Sequence, residues 1–105
     1  METLIYDYLM AKCIGYENRV KAKTLMNKFD IKDNKQFRGY IQNIRNSYKY
    51  DRIIGSEAGK QGGYWIINSV KELEDTVHHL LARAEEMKDT AAAMEEKYEK
   101  LERGF

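Results

Sequence analysis

The sequence predicts a mainly α chain with a small β-hairpin, in which a compact N-terminal part is followed by one long C-terminal coiled-coil helix. Three observations lead there. Apolar or small side chains recur without a break in alternating steps of three and four at Val70, Leu73, Val77, Leu80, Ala84, Met87, Ala91, Met94, Tyr98 and Leu101. Three shorter stretches before residue 50 also carry helical apolar spacing. The period changes once between them and the long helix, where two β-type runs flank a glycine-containing loop.

The alternating steps keep one narrow apolar line on a single side of a helix, whereas the stripe of an ordinary amphipathic helix is wider and drifts round the axis. At 1.5 Å per residue the line extends for about 48 Å, longer than the body that the preceding residues can build, so the helix is expected to project and to pair with a second copy of the chain. With Val70 at heptad position a, Leu73, Leu80, Met87, Met94 and Leu101 fall at d, and Ala84 and Ala91 at a allow close approach. In a parallel pair Arg83 at g faces Lys88 at e, which is unfavourable, while Lys97 and Glu102 attract, so an antiparallel pair or a larger bundle stays open. In a mixed arrangement Val70 to Leu81 packs on its own domain and only the remainder pairs between chains.

Charge divides at the same place. Residues 1–69 hold 12 Lys/Arg against 7 Asp/Glu and residues 70–105 hold 6 against 10, so a net charge of +1 conceals a basic part at +5 and an acidic helix at −4. Such asymmetry suits a polyanion-binding module joined to a second function. A core drawn from about 69 residues is small for independent stability, and pairing of subunits would support it. Cys13 has no second cysteine to bridge to and lies among Leu9, Met10 and Ile14, which predicts a buried, reduced thiol and a cytoplasmic setting. The N-terminus lacks the pattern of a signal peptide, and no run approaches a membrane span, so no membrane is expected as partner.

Leu4, Ile5, Tyr8, Leu9 and Cys13 predict a first helix stopped by Gly15, and Tyr16 to Val20 reads as a loop with a strand residue at Val20. Ala22 to Phe29 reads as a short second helix on Leu25, Met26 and Phe29, ended by the turn Asp30-Ile31-Lys32. Asp33 and Gln36 have the form of a capping box, opening a third helix with Phe37, Tyr40, Ile41, Ile44 and Tyr48 on one face. Arg52-Ile53-Ile54, the loop Gly55 to Gly62 and Tyr64-Trp65-Ile66-Ile67 form the hairpin, whose Tyr64 and Trp65 are expected in the core. Ser69 and Glu72 make a second capping box, and the last helix then runs without glycine or proline to Arg103.

Helix, short helix, tight turn, helix, hairpin is the order of a winged helix-turn-helix. The stretches VKAKTLMNKFDI, DNKQFRGYIQNIRNSY and RIIGSEAGKQGGYWI resemble the winged-helix domains of bacterial regulators and of small phage-encoded proteins of low-GC Gram-positive bacteria, over residues 3 to 67. The resemblance implies a winged-helix domain over residues 1–68 and double-stranded DNA as partner, and the apolar spacing predicts the dimerisation helix over 69–105. Two positions depart from the pattern: Ile53 stands where a proline often follows the Arg, and Glu57 in the wing would repel phosphate.

In such a fold the third helix presents Asn34, Lys35, Arg38, Gln42 and Arg45 on the side opposite its apolar face. Arg can bond two acceptors on guanine and Gln can pair with adenine, so Arg38 and Gln42, one turn apart, are the candidates for base reading, with Asn34 at the helix start. Lys21, Lys23, Arg45, Arg52 and Lys60 are candidates for phosphate contacts. Gly39 costs about 1 kcal/mol in mid-helix relative to Ala, and close approach of another backbone would offset it.

No metal or other cofactor is expected: His78 and His79 diverge by about 100° on a helix and have no cysteine pair nearby. No enzyme is expected either, since Cys13 sits in an apolar helix and no phosphate-cradling glycine loop precedes a helix. The sequence favours a dimeric, sequence-specific DNA-binding protein, a transcriptional regulator or phage accessory factor. The alternative is a docking module that grips a host or replication protein through the winged helix and the acidic coiled coil.

Overall fold

The computed structural model describes residues 1–100, with the side chain of Tyr98 excepted. Tyr98, Leu101 and the expected helix end at Arg103 therefore lie outside the described side chains. The chain is mainly helical: α1 (Glu2–Lys12), a single 3-10 turn (Tyr16–Asn18), α2 (Ala22–Lys28), α3 (Asn34–Asn46), β1 (Ile54–Glu57), β2 (Gly63–Ile66) and the long α4 (Val70–Lys100). None of its described helices is long and apolar enough to cross a membrane.

The core forms where the apolar faces of the short helices meet the inner face of the hairpin. Ile5 and Leu9 of α1, Leu25 of α2, Phe37, Ile41 and Ile44 of α3, and Ile54 and Ile66 of the two strands are buried together, with Cys13 among them. Fully burying an apolar side chain of this size contributes about 1.5–3 kcal/mol. Leu4 was expected on this face but is largely exposed, and Tyr8 is only half-buried, packed edge-on to Phe29.

The Asp33 side chain caps α3 by accepting from the Lys35 amide at 2.9 Å. The helix stops at Asn46, where Ser47 turns to extended backbone. Tyr48, assigned to the apolar face by period alone, therefore falls beyond the helix and is fully exposed.

The hairpin is antiparallel, with Ile54 opposite Ile66 and Ser56 opposite Tyr64. Its first strand starts two residues later than the β-branched run suggested. Ile53 is exposed, and Gly55 lies within the strand because the Trp65 indole covers it, a Cβ there coming within 2.6 Å of the ring. Val20 supplies the expected strand residue, exchanging backbone hydrogen bonds with Tyr64 at 2.7 and 2.8 Å, and Ile66 bonds in the same way to Cys13 and Gly15. These bonds occupy the outer edge of β2.

The outer edge of β1 is closed by side chains. Arg45 donates from Nε and Nη2 to the Ile54 carbonyl at 3.0 and 2.9 Å, and from Nη2 to Ser56 Oγ at 2.9 Å. Ser56 donates its amide to Thr76 Oγ1 of α4 at 3.4 Å. An unpaired strand edge is an aggregation hazard, and here the Ile54 carbonyl and the Ser56 amide of the edge find side-chain partners within the chain.

The start of α4 is held by Glu72. Its Oε1 accepts from the Trp65 indole at 2.8 Å and from the Asn68 amide at 3.1 Å, while the Glu72 amide donates to Ser69 Oγ at 3.2 Å, as the capping-box spacing predicts. Thr76 is buried against the hairpin and Leu73 is half-buried, whereas Val77, Leu80, Leu81, Met87 and Met94 are exposed along a helix that carries the molecule to a longest dimension of 56 Å. The first turns of α4 thus pack on their own body through a face that includes a threonine, and the apolar line emerges beside it.

Candidate nucleic-acid interface

The outer side of α3 holds most of the candidate residues. Phe37, Ile41 and Ile44 turn inward, which leaves Asn34, Lys35, Arg38 and Gln42 exposed. The described residues provide no ion pair for Lys35 or Arg38. Gly39 lies on the same helix, and a Cβ built there meets nothing within 4 Å. Among the described residues no packing calls for glycine at this position.

A cleft of about 400 Å³ opens between the N-terminal half of α3, the hairpin loop and α4. Asn34, Arg38 and Lys60 line it, joined by Lys21 from the start of α2. Arg83 of α4 lines it as well, a residue assigned by heptad position to the helix pair. Lys23 is exposed on the other side of Asn34, in a separate shallow depression between α2 and the start of α3. Lys35 and Gln42 stand on the open face of α3 outside the cleft.

Arg45 was expected to face outward with this group, but its guanidinium is turned back onto β1 and is half-buried. Burial lowers its pKa, partly countered by Tyr64. Arg52 likewise spends a guanidinium N–H on the Ile67 carbonyl at 3.0 Å. Arg45 thus binds the hairpin to α3, and Arg52 links the two arms of the hairpin at their open end. Long cationic side chains can fold back along their own stems, and helix-face geometry alone does not reveal it.

Glu57 also lines the basic cleft, and its Oε1 accepts from the Tyr16 hydroxyl at 2.9 Å. That bond raises the Tyr16 pKa, as do burial and the carboxylate charge, while Arg19 opposes them with its guanidinium 4.0 Å from the ring centre. Tyr64 packs edge-on against Phe37 at 5.4 Å and forms part of the cleft wall, while Trp65 is buried on the opposite face beside Tyr16.

A second cleft, of about 420 Å³, lies between that opposite face and the first turns of α4. It gathers Glu57, Glu72 and Asp75, and its Lys71 is paired with Asp75 at 2.9 Å. Its sign suits a polyanion poorly. His78 and His79 have ring centres 6.4 Å apart, and no group of three or more potential ligands converges on a metal position among the described residues. The Cys13 thiol is buried, which raises its pKa.

Compared with known proteins, the chain matches no family model, no curated sequence and no solved structure.

Proposed function

We propose that this chain is a dimeric, sequence-specific DNA-binding protein of the winged helix-turn-helix type, serving as a transcriptional regulator or phage accessory factor. The observation that carries the reading is the free face of α3: Asn34, Lys35, Arg38 and Gln42 are exposed beside a glycine that no internal contact requires. An α-helix fits the major groove of B-DNA, where Arg reads guanine and Gln or Asn reads adenine. In this reading α2 and α3 are the helix-turn-helix, and the β1–β2 loop is the wing, with Lys60 at its tip and Lys23 at the start of α2 meeting phosphates.

The second copy pairs along α4. Val77, Leu80, Ala84, Met87, Ala91 and Met94 are exposed on the projecting helix, while Leu73 is half-buried against its own body and Val70 lies exposed at the first turn. Self-packing is confined to Leu73 and Thr76, short of the Val70 to Leu81 span of the mixed arrangement, which leaves Val77 onward for pairing.

A gel-shift competition tests the base-reading role. Arg38→Ala combined with Gln42→Ala is expected to weaken binding to the preferred duplex and to erase preference among duplexes. Unchanged affinity for every DNA would contradict readout by α3.

The exposed apolar line on an acidic helix also favours a second reading, in which α4 docks on another protein. Salt separates the two. Affinity for DNA falls linearly on a log-log plot as salt rises, because bound phosphates release counterions, whereas docking through apolar surface responds weakly.

A further inference from the structure

We infer that α4 contributes directly to the nucleic-acid interface, with Arg83 binding a backbone phosphodiester in the cleft it shares with Lys21, Arg38 and Lys60. This rests on the reading of α3 as the DNA-binding helix, and adds a contact from an element outside the helix-turn-helix and wing.

The position of Arg83 follows from how α4 is held. Thr76 is the buried contact of α4 on β1, and seven residues on a helix return to within about 20° of the same side, about 10.5 Å farther along. Arg83 is therefore carried past the hairpin loop on the side that faces the body. Ser56, Ala58 and Leu80 line a smaller depression between the two elements, also bounded by Arg83.

The cleft then holds cations from four separate elements. Lys21 comes from the start of α2, Arg38 from α3, Lys60 from the hairpin loop and Arg83 from α4. None of the four is in an ion pair among the described residues. Glu57, engaged by Tyr16, is the carboxylate within the cleft, and Glu86 lies one turn beyond Arg83 at the rim of the smaller depression. A cleft lined by unspent cations from distant parts of the sequence concentrates anions, and a guanidinium binds phosphate oxygens through two parallel N–H groups. Beside a helix placed in the major groove, the available anion is the flanking phosphodiester strand.

Fluorescence anisotropy with a labelled random-sequence duplex across a salt titration tests this in the full-length chain. Arg83→Ala is expected to weaken binding and to lower the log-log salt slope by about 1.8, the loss of one phosphate contact in each of the two chains. Lys100→Ala, an equal charge change at the far end of α4 on a side chain paired with Glu96 and off the apolar line, is expected to leave affinity and slope unchanged, and Arg38→Ala serves as the reference for α3. Wild-type binding by Arg83→Ala, with Arg38→Ala impaired, overturns the contact and leaves the α3 reading intact. Wild-type binding by both overturns both. Weakened binding that coincides with dissociation into single chains on sedimentation assigns Arg83 to the stalk and overturns the contact. Calorimetry with inorganic phosphate alone distinguishes the source of the anion: weak, non-saturating heats are expected. Saturable phosphate binding that Arg83→Ala abolishes, with duplex binding unchanged, overturns the nucleic-acid assignment.

Discussion

The indole N–H of Trp65 donates to Glu72 Oε1 at 2.8 Å and so ties the hairpin to the first turn of the long helix. The same carboxylate oxygen accepts from the Asn68 amide, and the Glu72 amide donates to Ser69 Oγ. One residue thus caps α4 and sets its direction over the hairpin, on which the place of Arg83 depends. Glu72→Ala is expected to lower stability by about 1–3 kcal/mol through loss of the cap and an unpaired indole, seen as a lower melting temperature and an altered Trp65 emission.

Arg45 and Arg38 occupy one helix and should behave as opposites. Arg45→Ala leaves the Ile54 carbonyl without its donor and is expected to destabilise by about 1–3 kcal/mol in urea unfolding. Arg38→Ala is expected to change stability by less than about 0.5 kcal/mol while weakening duplex binding.

Gly39→Ala is expected to stabilise the chain by up to about 1 kcal/mol, since a Cβ there meets nothing, and at the same time to reduce DNA affinity. Gain of stability with unchanged affinity would show that no ligand backbone approaches this position. Gly55→Ala is expected to destabilise, because the added Cβ comes within 2.6–2.9 Å of the Trp65 indole. Thermal melts and anisotropy on the same samples check both.

Burial raises the Cys13 thiol above its ordinary pKa of 9.0, so the folded chain holds the proton after the unfolded chain has lost it. The resulting stability is complete below that pH and declines as pH rises through it toward the higher folded value. Wild-type protein is therefore expected to lose stability faster than Cys13→Ala in alkaline buffer, measured by urea unfolding at a series of pH values. Alkylation of the thiol is expected only upon unfolding.

Met87→Asp with Met94→Asp places charges on the exposed apolar line and is expected to give single chains whose short helices and hairpin remain folded. Circular dichroism and light scattering report the two properties separately.

The helices were legible in the sequence because burial on one side imposes a 3.6-residue period, and Ile5, Leu9, Phe37, Ile41 and Ile44 all follow it. The period carries no information about helix ends, which is why Tyr48 was placed on a face that stops at Asn46. The sequence ends β1 at Ile54 because glycine usually signals a loop, whereas Gly55 is in the strand to admit the Trp65 ring and the strand runs on to Glu57. A hydrophobic pattern passes over polar residues and so does not reveal Thr76, which is buried and bonds the strand edge. Of the candidate site, the free face of α3 was readable from periodicity. The inward turn of Arg45 and the arrival of Arg83 in the cleft depend on contacts between elements far apart in sequence, and periodicity does not encode them.

The most direct test is sedimentation of the whole chain, alone and with a short duplex, at low and then at rising salt. The account predicts a two-chain particle that shifts the duplex to a complex of two chains per DNA and releases it progressively as salt is added. A single-chain particle at every concentration, with the duplex sedimenting as free DNA even at low salt, would contradict it.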